Sequence, residues 1–165
     1  MNTLTAQDDQ AIYAADPFRT REDAVLAEAI QILQARMKKT TEAFTSPAAV
    51  TQYLTIKLAE LEHEIFGVLL LDNSHRLIED QVMFRGTVDG AHVYPREVIK
   101  EVLSVNAAAV IFYHNHPSGN LTPSRTDEAI TAKLIDALRL IEVRVLDHFI
   151  VGGMNTYSFA DHGLI

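Results

Sequence analysis

Between Ala107 and Asp127 the chain changes its rule of construction twice. An apolar run, Ala107 to Tyr113, leads into His-Asn-His-Pro-Ser-Gly at 114–119, and a helical pattern starts near Pro123. The alanines favour a helix, but Val-Ile-Phe-Tyr and the turn residues just beyond favour a central strand. Strand, turn and helix are therefore spelled out in one short segment. On a strand, histidines at i and i+2 share a face, so His114 and His116 point the same way. Asp127, in the first turn of the helix, can swing back toward them. The carboxyl end of a sheet strand beside a helix N-terminus is where open sheets place functional groups.

The rest of the chain supplies layers for such a sheet. Residues 1–19 lack periodicity and read as an arm, with Asp16-Pro17 as a break. Leu26, Ala29, Ile30, Leu33 and Met37 form an apolar helical stripe, Thr20 to Asp23 resembles a capping box that opens it, and Lys38-Lys39 suits its C-terminus. After a connector, Thr40 to Ser46, a second helix starts at Pro47 and runs to about Glu62, with Val50, Leu54, Leu58 and Leu61 inward. Glu64 to Asp72 is nearly continuous apolar sequence and reads as a buried strand, with a hairpin at Asn73-Ser74-His75 and an outer strand from Leu77 to Phe84. Gly86 to Gly90 is turn-rich. Pro95 opens a helix with Val98, Ile99 and Val102 on its apolar face, closed by Asn106. A long helix follows from about Ser124 to Leu140, then a strand from Val143 to Val151, a turn at Gly152-Gly153 and a last strand from Asn155 to Phe159. Irregular alternation with two hairpins implies an α/β or α+β fold, a mixed β-sheet flanked by helices.

Composition narrows the chemistry. A chain of 165 residues, 48% hydrophobic and 22% charged, can bury its own core. It has no cysteine, so a metal would be held by the seven histidines and the carboxylates, and the lack of thiols suits a reducing cytoplasm. The N-terminus resembles neither a signal peptide nor a membrane span, so a cytoplasmic protein with no membrane partner is expected. The net charge of −8 is spread along the chain and offers no clustered basic surface for phosphates, so charge does not support nucleic-acid binding.

Each site residue has a structural alternative. Ser124-x-x-Asp127 repeats the pattern of Thr20-x-x-Asp23, which reads as capping alone, so the residues by themselves leave metal binding and a structural role both open. His-x-His with seven residues to Ser124 and two more to Asp127, together with an upstream Glu, is similar to the JAMM (MPN-type) metalloprotease motif. The longer string His-Asn-His-Pro-Ser-Gly-x-x-Thr-Pro-Ser resembles the RadC branch of that superfamily. The likeness continues through Glu64-x-Phe66-x-Val68-Leu69-x-Leu71-Asp72, Phe84-Arg85-Gly86, Pro95-Arg96-Glu97-Val98 and Asp147-His148-x-Ile150-Val151, covering about residues 50–165.

That resemblance implies a JAMM/MPN-like fold with a cytidine-deaminase-like layer arrangement, occupying residues 46–165 behind an N-terminal arm and helix at 1–45. Longer relatives carry a helix-hairpin-helix region, whose signals residues 1–45 lack, so a short member is expected. The resemblance implies zinc on His114, His116 and Asp127, Glu64 as the base, and Ser124 as a donor to a developing oxyanion. The expected function is a zinc-dependent hydrolase, a peptidase or isopeptidase acting on a peptide or protein. A non-catalytic metal-binding module and a metal-dependent nuclease are the alternatives, and the RadC name carries a DNA-repair association. Asp147-His148 could orient a ligand or the sheet end, though a satisfied core pair is the plainer reading, and His148 is left out of the ligand set. His63 is excluded as pointing to the opposite face from Glu64, and His75, His92 and His162 are read as solvated. Oligomeric state and substrate identity are not legible, and a two-imidazole, one-carboxylate set accepts other divalent ions.

Overall fold

A computed structural model describes residues 17–39, 47–86 and 93–165, with side chains in the first helix from 21 to 35. Helix α1 (Pro17–Lys39) precedes α2 (Pro47–Leu58), and a hairpin of β1 (Ile65–Leu71) and β2 (Leu77–Arg85) follows. Then come α3 (Pro95–Ser104), β3 (Ala109–Asn115), α4 (Arg125–Arg139) and a second hairpin of β4 (Arg144–Gly152) and β5 (Asn155–Ser158). The sheet order is β2-β1-β3-β4-β5, antiparallel except for the β3–β4 pair, which α4 connects. This is the expected mixed α/β sheet flanked by helices.

Every residue of β1 and β3 is buried, because helices cover both faces of the sheet's centre. That explains why both strands read as continuous apolar runs rather than alternating ones. One face takes Ile65, Leu69, Leu71, Ala109, Ile111 and Tyr113 against Val50, Tyr53, Leu54 and Leu58 of α2, with Ile30 and Leu33 of α1 packed on them. The other takes Phe66, Val68, Leu70, Val110 and Phe112 against Val98 and Val102 of α3 and Leu134 and Leu138 of α4. Each fully buried leucine contributes about 1.5–3 kcal/mol.

On the α2 face a polar network bridges helix and sheet. Gly67 of β1 lies opposite Tyr113, and a Cβ there would sit 2.1 Å from the tyrosine Cζ, so glycine makes room for the ring to lie across its strand. The Tyr53 hydroxyl donates to Asp80 of β2, the Tyr113 hydroxyl donates to it at 2.5 Å, and Lys57 of α2 lies 2.6 Å from the same carboxylate. The Asp80 side chain is only 3% exposed, and these three partners stand in for the water that burial removes. Burial and the neighbouring Asp80 both push the two tyrosine hydroxyls far above their ordinary range.

The β3–β4 register contains a one-residue slip. Val110 pairs with Val145 but Ile111 pairs with Asp147, leaving Leu146 as an extra residue. Val145 packs with the α3/α4 core and Leu146 with the α1/α2 core, while beyond the slip Phe149 and Val151 face α2. His148 thereby reaches the α3/α4 face, beside Phe66 and Phe112.

Several local expectations shift. Helix α1 begins at Pro17, so Thr20 to Asp23 lies within it and does not cap it; Pro17 stands at the first helical position, where its missing N–H costs nothing. The expected stripe holds where side chains are described: Leu26, Ala29, Ile30 and Leu33 are half-buried among exposed neighbours. Met37, Lys38, Lys39, His92 and the connector to Ser46 lie outside the described side chains. Gly152 pairs with Asn155, which moves the last turn one residue on, to Gly153-Met154, with Gly153 at φ 58°. His75 is half-buried at φ 60°, its Nε2 without a hydrogen-bond partner among the described residues, and so is not the solvated residue expected.

Candidate metal centre

Strand β3 carries His114 on the α4 face, and the chain continues past its end so that the His116 N–H donates to the Val151 carbonyl at 2.8 Å. The two rings converge, with Nε2 atoms 3.0 Å apart. Asp127 arrives from the start of α4, one carboxylate oxygen 3.7 Å from His114 Nε2 and the other 3.7 Å from His116 Nε2. One ligand atom from each of the three residues lies within 4.8 Å of the others, a group that could hold a metal ion.

Ser124 and Asp127 form a genuine capping box. The Ser124 N–H donates to Asp127 Oδ2 at 2.7 Å and the Asp127 N–H to Ser124 Oγ at 3.1 Å. Capping does not exhaust either residue: among the described residues Asp127 Oδ1 takes no hydrogen bond, and the Ser124 hydroxyl uses a lone pair and keeps its proton for another acceptor. The two readings of Ser-x-x-Asp are compatible.

Glu64 sits one residue before β1. Phe66 pairs with His114 in antiparallel register, so two residues further along Glu64 falls level with His116 on the same face. Burial raises the Glu64 carboxyl above its ordinary value; a proton gained by His116 would oppose this, and the Asp127 charge reinforces it. Burial also pushes His114 down to about 4, so it is neutral near pH 7.

The donor set suits a cation. His116 Nδ1 lies 2.6 Å from the Asn120 carbonyl, which only accepts, so Nδ1 carries the proton and Nε2 presents a lone pair. Two nitrogens on a tetrahedral zinc at about 2.0–2.1 Å would stand about 3.3 Å apart, close to the separation found. Gly152 holds the loop that supplies the Asn120 carbonyl: a Cβ there would meet Gly119 O at 2.7 Å.

Two contributors, Asn115 and Thr131, escaped the sequence reading. Asn115, 2% exposed between the histidines, accepts from the Ile65 N–H at 2.8 Å and donates to the His63 and Leu61 carbonyls, at 3.0 and 3.5 Å. Its signal was strand parity, which aims the middle residue of His-x-His away from its neighbours. Thr131 stands one helical turn after Asp127. It is linked to His148, which is fully buried and touches His114 Nδ1 at 2.8 Å. His148 is thus a satisfied core histidine and a neighbour of the cluster at once, while Asp147 accepts from Ser158 Oγ and the Ala160 N–H and pins the sheet end. His63 is exposed, and His162 is exposed but stacked on Tyr157.

Residues 44–164 match the RadC-like JAB domain family. A UPF0758 protein of Vibrio cholerae is 57% identical over 145 residues, 88% of this chain and 90% of that protein. UPF0758 protein YkfG of Escherichia coli K12 is 47% identical over 141 residues, 86% of this chain and 89% of that protein. UPF0758 protein PSHAa2643 of Pseudoalteromonas translucida is 51% identical over 142 residues, but the match covers only 63% of that longer chain. The chain belongs to the RadC-like JAB domain family.

Proposed function

We propose, from that membership, that the protein is a zinc-dependent hydrolase of peptide or isopeptide bonds, with His114, His116 and Asp127 as ligands. The convergence of these three residues within 4.8 Å supports the reading most directly. Zinc held there supplies a Lewis acid that polarises a carbonyl and makes water nucleophilic near neutral pH. Glu64 takes the proton from the attacking water and passes it to the amide nitrogen as the C–N bond breaks; its raised pKa suits a group that must both accept and release a proton. The Ser124 hydroxyl donates to the oxygen that gains charge as the carbonyl carbon becomes tetrahedral. Asn115 holds the main chain on both sides of Glu64. No described helix is long and apolar enough to cross a membrane, and the cysteine-free composition supports a cytoplasmic setting.

Purified protein should bind about one zinc per chain, and a His114→Ala, His116→Ala double variant should lose it; full zinc retention in that variant overturns the ligand set. Glu64→Gln should keep zinc and lose turnover of a peptide library cleaved by the parent protein. Peptides left uncut by zinc-loaded parent protein would favour a binding module instead.

A further inference from the structure

We propose that His148 is a positioning residue for the metal centre, holding His114 as the tautomer with its proton on Nδ1 so that Nε2 faces His116 and Asp127 as a donor atom. The relay that does this starts and ends at Asp127. The Asp127 main-chain carbonyl can only accept, and Thr131 Oγ1 lies 2.6 Å from it, so the threonine's single proton is used there. Oγ1 then has only lone pairs for His148 Nδ1, also 2.6 Å away, so His148 Nδ1 carries the proton. His148 is stacked on Phe159 at 4.7 Å and flanked by the edges of Phe66 and Phe112, an enclosure that disfavours a second proton. Its Nε2 is therefore bare, and His114 Nδ1, 2.8 Å away, must be the donor.

The consequence lies at the other end of His114. With Nδ1 protonated and the ring neutral, Nε2 carries a lone pair, and His116 Nε2 does so too because its Nδ1 is bound to the Asn120 carbonyl. Two lone pairs then face each other across 3.0 Å with a carboxylate beside them, an arrangement that a bound cation relieves. Remove His148 or Thr131 and the His114 proton is free to move to Nε2, which closes the donor atom. Ligand-orienting partners of this type change metal affinity by about 10- to 100-fold when lost.

This proposal rests on His114 being a ligand, yet the tautomer is measurable without metal. Long-range 1H–15N correlation spectra of the metal-free protein should show His114 and His148 each protonated at Nδ1; a proton on His114 Nε2 overturns the relay. His148→Phe, which fits the aromatic enclosure, should keep the parent fold by circular dichroism and weaken zinc binding by about 10- to 100-fold in competition with a chromophoric chelator. Unchanged zinc affinity in that folded variant also overturns it. Should His148→Phe not fold, Thr131→Val decides: weaker zinc binding, restored by Thr131→Ser, supports the relay, and parent-like binding refutes it. Parent protein that binds no zinc would sink the proposed function while leaving the tautomer measurement to be read on its own.

Discussion

The side-chain amide of Asn115 donates to the main-chain carbonyl of His63 at 3.0 Å, one residue short of Glu64, and accepts from the N–H of Ile65, one residue beyond it. A residue between two proposed ligands thereby grips the backbone on both sides of the proposed base. Asn115→Ala should leave the buried Ile65 N–H without its partner, at a cost of about 1–3 kcal/mol in unfolding free energy. Zinc content should be unchanged while turnover falls by up to about 100-fold, the scale of a misplaced reacting group. Denaturant titration, metal analysis and kcat separate the three effects.

Gly152→Ala should act on the metal through the loop. The new methyl meets the Gly119 carbonyl at 2.7 Å, and the displaced segment carries the Asn120 carbonyl that orients His116. Zinc affinity should fall by about 10-fold or more, with a smaller loss of thermal stability, measured by chelator competition and a melting curve.

The metal-free protein should be acid-labile. His114 is neutral in the fold down to about 4, whereas the unfolded chain protonates it near 6.5. Between those values the unfolded state binds the extra proton, so stability is full above pH 6.5 and declines as pH falls toward 4. The shift corresponds to roughly 3 kcal/mol at most. His148, which burial holds well below its ordinary value, adds to the same trend. Unfolding free energies at pH 7, 6, 5 and 4 should decrease in that order.

Gly67→Ala should disturb the opposite face of the sheet. The methyl would overlap the Tyr113 ring and pull its hydroxyl from Asp80, an overpacking cost of about 1–3 kcal/mol with further loss from the network. Zinc content should be retained, because Tyr113 and His114 point to opposite faces of β3.

Both central strands and the helix that follows the histidines were legible because their signals are local. Ile65 to Leu71 and Ala109 to Asn115 are apolar runs too short for helices, and Ser124 to Asp127 is a cap followed by a stripe of Ile130, Leu134 and Leu138. The convergence of His114, His116 and Asp127 could be anticipated from one strand-turn-helix segment. What could not be read depends on partners distant in sequence. Lys57 and Asp80 look like ordinary surface charges until α2 is laid on the sheet, and Asn115 looks like a spacer until residues 61–65 pass beside it. The Thr20 pattern misled because a capping box and two polar residues one turn apart inside a helix have the same spelling.

Leu146 gives β4 two reading frames. Up to Val145, odd-numbered side chains face α3 and α4; from Asp147 onward it is the even-numbered ones that do. Were β4 to run through Leu146 in regular alternation, His148 would turn toward α2 and Phe149 would face the cluster, so the one-residue bulge, rather than any side chain, decides which chemistry the fourth strand shows to the proposed ligands.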